Sequence, residues 1–207
     1  MEYLDYYDED GNYLGYKTSD EVHAEGLWHN IVNFWLYDEQ GSVYFQIKKD
    51  NKKFDITSTG HVLKGESIND AAKRIVLKNI GIEFDCNEES LADVFPYEID
   101  KALSDTTIWK DRVKANVFVD LYKGDMKDFC FDNDNAIGIL RVNAVEALEL
   151  FETEKGSIVA TVAIQDDSGN VNIDERVVSL DDFFVNDPDT TLGKYGNILN
   201  ILIEKIY

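Results

Sequence analysis

The 207 residues suit one large domain, or a domain with a modest extension, with enough chain to bury a sizeable core. Lys and Arg total 20 against 41 Asp and Glu; the net charge of -21 repels phosphate backbones and anionic lipid, so neither nucleic acid nor a membrane surface is expected as a partner. With 44% hydrophobic and 12% aromatic residues a disordered acidic chain is excluded, and Cys86 and Cys130 lack the number and spacing of a disulfide framework or a thiolate zinc site, which points to a folded protein in a reducing compartment.

Tyr3 to Tyr7 and Tyr13 to Lys17 flank the turn cluster Asp8-Glu9-Asp10-Gly11-Asn12 and read as a hairpin. A second hairpin follows: Ile31 to Tyr37, the turn Asp38 to Gly41, then Ser42 to Lys48. A strand is expected from Phe54 to Thr59. At Ile68 the period changes to 3.6, and Ile68, Ala71, Ala72, Ile75, Val76 and Ile80 form one apolar stripe, with Ser67 as N-cap, Gly81 as the stop, and Lys78 and Asn79 off the stripe. Further strands are expected at Lys114 to Tyr122, Ser157 to Gln165 and Val171 to Ser179, and helices at Asn143 to Phe151 and Leu192 to Lys205. Strands with a few interspersed helices argue an α/β or α+β sandwich. The N-terminus has no basic flank and apolar run of a leader, and no stretch reaches the roughly 18 apolar residues of a membrane span, so the expected location is the cytoplasm.

Gly60, Glu66 six residues on, Arg74 after seven more, and then Gly81-Ile82 have the spacing of the Nudix box, GX5EX7REUXEEXGU. Together with "EYLDYYDEDGNYLG", "SDEVHAEGLWHNIVNFWLYDEQG" and "TSTGHV", the segment resembles the Nudix subfamily nearest to isopentenyl-diphosphate isomerase, over about residues 1 to 140. The resemblance implies an α/β/α sandwich around a mixed sheet, with an N-terminal hairpin in residues 1–140 and a C-terminal elaboration, 141–207, packed on the same domain. It also implies helix carboxylates that hold Mg²⁺ or Mn²⁺ against a diphosphate. Here those positions are Ile75, Lys78 and Asn79, none of them a carboxylate. Gly60, Glu66, Arg74 and Gly81 remain as a frame, with Glu66 and Arg74 expected to form an ion pair. A divalent ion is therefore not expected at this helix.

His23, His29 and His61 are the three histidines of the chain, and all fall in segments that carry the resemblance. In the similar isomerases, histidines in these segments ligate a divalent metal. Three imidazoles leave a position for water or substrate, which suits Zn²⁺ or Mn²⁺, and Asp111 is the candidate carboxylate beside them. The competing reading gives His23 and His29 backbone hydrogen bonds at the start of a strand. Thr59 stands where the isomerases have a catalytic Cys, which argues against isomerase activity, while Cys86 and Cys130 read as small buried residues.

Lys48, Lys49, Lys52 and Lys53 form the basic cluster of this acidic chain, as candidate phosphate contacts or a solubilising loop. Trp28, Trp35 and Trp109 read as core more readily than as stacking platforms. The acidic runs Asp132 to Asp134, Asp166-Asp167 and Asp181-Asp182 read as solvated loops, since none has a complete Ca²⁺ loop pattern. Three functions follow: a catalytically impaired binder of a nucleotide or other diphosphate-bearing ligand; an active phosphohydrolase with carboxylates from outside the box; and a protein-interaction scaffold. The spacing does not fix the ligand or the oligomeric state.

Overall fold

The computed structural model describes residues 1–86, 90–104, 107–131, 135–184 and 188–207, without the side chains of 103, 104, 107 and 188–194. The acidic run Asp132 to Asp134 lies outside the described residues. The chain divides into two interleaved units: Met1–Asn33, Thr59–Ile75 and Asp85–Phe118 form one, and Phe34–Ser58, Val76–Phe84 and Val119–Tyr207 the other.

In the first unit, β1 (Tyr3–Tyr7) and β2 (Tyr13–Thr18) pair antiparallel, as the turn cluster between them requires. The Asp8 carboxylate accepts from the Asn12 amide at 2.7 Å, and Gly11 takes φ 85°, a left-handed value that glycine adopts without a Cβ clash. A helix with no counterpart among the expected elements follows, α1 (Ser19–Glu25). Thr18 and Glu21 cap each other reciprocally, and Gly26 in the left-handed region ends the helix after seven residues. Its cap signature is present in the sequence, but two turns are too short to show a period.

The first half of β3 (Trp28–Tyr37) pairs with β1 through Tyr6–His29 and Tyr7–Trp28. The long hairpin of β7 (Leu91–Ser104) and β8 (Thr107–Leu121) runs in antiparallel register from Leu91–Phe118 to Ala102–Ile108. Strand β7 was not expected, because Pro96 and alternating acids interrupt its apolar run, and β8 begins seven residues before Lys114. Ile31, Val113 and Ala115, covered by Phe95 and Tyr97, make a small core there.

The second unit holds β4 (Ser42–Lys48), β5 (Phe54–Ile56), β9 (Ala136–Asn143), β10 (Ile158–Gln165) and β11 (Val171–Val178), paired antiparallel in the order β5 and β9 on β4, then β10, then β11. A parallel bridge joins Phe54 and Phe183. Helices α3 (Ala144–Thr153) and α4 (Pro188–Ile206) complete it, α3 capped by the Asn143 side chain. Trp35, Phe45, Phe151, Phe183 and Tyr195 meet as an aromatic core, and Tyr195 anchors its hydroxyl on Asp55 at 2.7 Å. The single strand expected from Phe54 to Thr59 is two: β5, and β6 (Ser58–His61). The break falls at Thr57, whose buried hydroxyl accepts from the Leu36 amide and donates to the Tyr44 carbonyl.

Helix α2 (Ile68–Ile80) has the expected bounds. Ser67 accepts from the Asp70 amide at 3.1 Å, and the Gly81 amide closes the helix onto the Leu77 carbonyl. The fold is α/β, with an extensive antiparallel sheet and few helices. No helix among the described residues is long and apolar enough to cross a membrane.

Candidate metal centre

The three box positions that lack carboxylates have taken three different environments. Ile75 is 3% exposed, and its Cγ1 and Cδ1 lie 3.1 Å from where a Cβ on Gly60 would stand, so the isoleucine fills the groove over that glycine. Lys78 points to solvent. Asn79, expected off the buried stripe, is instead 5% exposed and donates to the Ser58 hydroxyl at 2.9 Å. An amide satisfied inside the fold can occupy such a position; an isolated carboxylate cannot without a large desolvation cost.

Glu66 and Arg74 form the expected ion pair. Arg74 grips Glu66 through Nε and Nη2, both at 2.7 Å, and Glu66 also accepts from the Leu63 amide. Burial pulls the Glu66 carboxyl upward, but the Arg74 bonds and the amide outweigh it and hold it below the usual range. Arg74 Nη2 reaches further, to the His61 carbonyl at 2.9 Å. The frame thus fixes the backbone of a histidine.

His23 on α1, His29 on β3 and His61 at the end of β6 converge, each offering a ring nitrogen within 4.8 Å of the others. Each Nδ1 is already engaged: His23 with the Ser19 carbonyl at 2.6 Å, His29 with the Leu27 carbonyl at 3.0 Å, and His61 with a Glu2 carboxylate oxygen at 3.1 Å. An Nδ1–H donated to each of these oxygens leaves Nε2 with its lone pair, the tautomer that a metal takes. Asp111 on β8 places Oδ1 3.6 Å from Nε2 of both His23 and His29. That is too long for a hydrogen bond. It is close to the ~3.3 Å between two donors on one tetrahedral ion with bonds of ~2.0–2.1 Å. His29 Nε2 and Asp111 Oδ1 are buried and have no hydrogen-bond partner among the described residues, and a shared cation would satisfy both. Burial pushes the His29 pKa down to about 4, aided by the neighbouring histidines and opposed by the Leu27 carbonyl and Asp111, so the ring is neutral at pH 7. Trp109 stacks on His23 at 3.8 Å and covers it.

The other sequence candidates sit elsewhere. Lys48 is directed at Asp55 and over the Phe184 ring, and Lys53 donates to the Asp181 carbonyl; Lys49 and Lys52 are exposed. Cys130 is exposed rather than buried, although its backbone and Cβ lie against Gly81; Cys86 is half-buried. Thr59 donates to the Asn33 side chain at 2.9 Å. Of the tryptophans, Trp35 alone is buried core. Glu2 and Trp109 were not legible as site residues, since nothing local ties position 2 or 109 to a histidine.

No family model matches the chain. It is similar to a Nudix hydrolase of Clostridium acetobutylicum, named as uncharacterised, with 25% identity over 213 residues that cover 98% of each chain. A second Nudix hydrolase so named, from Listeria monocytogenes, is 29% identical over 46% of this chain and 66% of that protein. These relatives support the Nudix superfamily. Among solved structures, DR0079 from Deinococcus radiodurans shares the fold with a TM-score of 0.51 and 16% identity, over 75% of this chain and 91% of that one.

Proposed function

We propose that this is a Nudix-fold protein with a degenerate box, which holds a divalent transition metal on His23, His29, His61 and Asp111 and there binds a diphosphate-bearing ligand without hydrolysing it at the box helix. The observation that carries the reading is the pair of buried atoms, His29 Nε2 and Asp111 Oδ1, without a hydrogen-bond partner among the described residues, beside a cluster whose Nδ1 atoms are all occupied. A divalent ion there supplies Lewis-acid charge toward a diphosphate oxygen. The chain's own part is to hold three imidazoles and the Asp111 side chain together, with Trp109 stacked on the ring of His23. Loss of the box carboxylates removes stabilisation worth several kcal/mol, where each 1.36 kcal/mol is about tenfold in rate.

Elemental analysis of untagged protein should find Zn²⁺ or Mn²⁺, and the His29→Ala, His61→Ala double variant should lose it; unchanged metal content rules the cluster out. In a panel of nucleoside triphosphates, sugar nucleotides and dinucleoside polyphosphates, turnover with Mg²⁺ or Mn²⁺ should be negligible. The second reading, an active phosphohydrolase, draws on Asp111 as a carboxylate outside the box. Turnover abolished by chelator and by Asp111→Asn would establish it in place of the first.

A further inference from the structure

The β1–β2 turn, the start of β3 and the adjoining parts of β7 and β8 enclose a cleft of about 640 Å³, within the range of small-molecule sites. Trp28 and Tyr7, cross-strand partners, and Pro96 give it an apolar wall. Asp8, Glu9, Asp10 and Glu98 also line it, with Lys114 as the cationic lining residue, so the lining carries a formal charge of -3. Glu98 is matched by Arg112 at 2.6 Å, and Asp8 is bound to Asn12; Glu9 and Asp10 are exposed. His29, buried and with no partner for Nε2 among the described residues, also lines the cleft, so cleft and histidine cluster share this residue.

We infer that this cleft takes the organic half of the ligand, and that this half is a ring-bearing cation. The faces of Trp28 and Tyr7 attract positive charge, and the carboxylates raise the local concentration of cations. Extra phosphates, as on a nucleoside triphosphate, meet like charge there. That the other half of the ligand is a diphosphate rests on the reading of the histidine cluster above; the cation preference does not.

The test has two arms. Metal-free, ¹⁵N-labelled protein is titrated with benzyltrimethylammonium, benzyl alcohol and benzylphosphonate, following the Trp28 indole N–H and the Gly11 amide. The ammonium should shift both resonances and bind about tenfold more tightly than the alcohol, with the difference shrinking at high salt. The double variant Glu9→Gln, Asp10→Asn, changed at exposed positions, should lose that preference and keep its affinity for the alcohol. Equal affinity for the three probes, or a preference for the phosphonate, overturns the inference. In the second arm, calorimetry with Zn²⁺ present compares thiamine diphosphate, an aromatic cation bearing a diphosphate, with uridine diphosphate, whose ring is uncharged. Tighter, zinc-dependent binding of thiamine diphosphate supports cleft and cluster together. Tighter binding without zinc dependence supports the cleft and removes the cluster reading, and tighter binding of uridine diphosphate overturns the cleft assignment.

Discussion

His29 is held neutral where the unfolded chain would protonate it, with a pKa of about 4 against an ordinary 6.5. Above pH 6.5 both states carry the neutral ring; between about 6.5 and 4 only the unfolded state takes the proton, so stability falls as pH falls through that window. In chelator, urea melts at pH 7 and pH 5 should show the part of this loss that lies above pH 5, about 2 kcal/mol, and His29→Asn should flatten it. Ile75 supplies a second prediction: Ile75→Glu forces a carboxylate into the space over Gly60 and should cost about 3 kcal/mol or more in urea melts, with or without Mg²⁺. Lys78→Glu, on the surface, should stay within about 0.5 kcal/mol. The sequence revealed that none of the three positions can offer a carboxylate. It could not reveal that Asn79 is buried, because its partner Ser58 is 21 residues away and belongs to a strand whose expected bounds were wrong.

Two short elements, α1 and β6, position His23 and His61 of the candidate site. Helix α1 owes its start to Thr18 and Glu21 and carries His23, so Thr18→Ala should cost about 1 kcal/mol and also weaken metal affinity, which calorimetric zinc titration would measure. Unchanged affinity would mean that α1 does not set the ring of His23. The Glu66–Arg74 pair acts similarly at longer reach. Arg74→Lys keeps the charge but cannot grip Glu66 and the His61 carbonyl at once, and should lower metal affinity more than it lowers stability. Strong periodicity made α2 legible to the residue, and turn chemistry located the β1–β2, β3–β4 and β10–β11 pairs, with strand ends that differ by one to three residues. Elements with mixed patterns, such as β7 with Pro96 and β9 with Gly138, were not legible: their places are set by pairing across the sheet, and a Cβ on Gly138 would strike the Ala163 carbonyl oxygen at 2.4 Å.

At the scale of the whole molecule, 41 acids against 20 bases leave long-range repulsion that the few close ion pairs do not relieve. Raising NaCl from low to physiological concentration should therefore raise the melting temperature by a few degrees, as screening lengths shorten from about 30 to 8 Å. A melting temperature that falls with salt would show that pairs such as Glu66–Arg74 outweigh the net charge. The strand and helix patterns left α/β or α+β open; the α/β class and the histidines both followed from the resemblance of their segments. What brings Glu2, Trp109 and Asp111 to the histidines is tertiary packing, which spacing along one chain does not encode.

Glu2 has a practical corollary. Its carboxylate touches His61, so whatever is fused ahead of Met1 emerges beside the imidazole cluster. A polyhistidine affinity tag placed there would bring competing ligands within reach, and nickel leached from a purification column could then be scored as a native cofactor. Samples for metal assay are better made with the handle removed or moved to the other terminus.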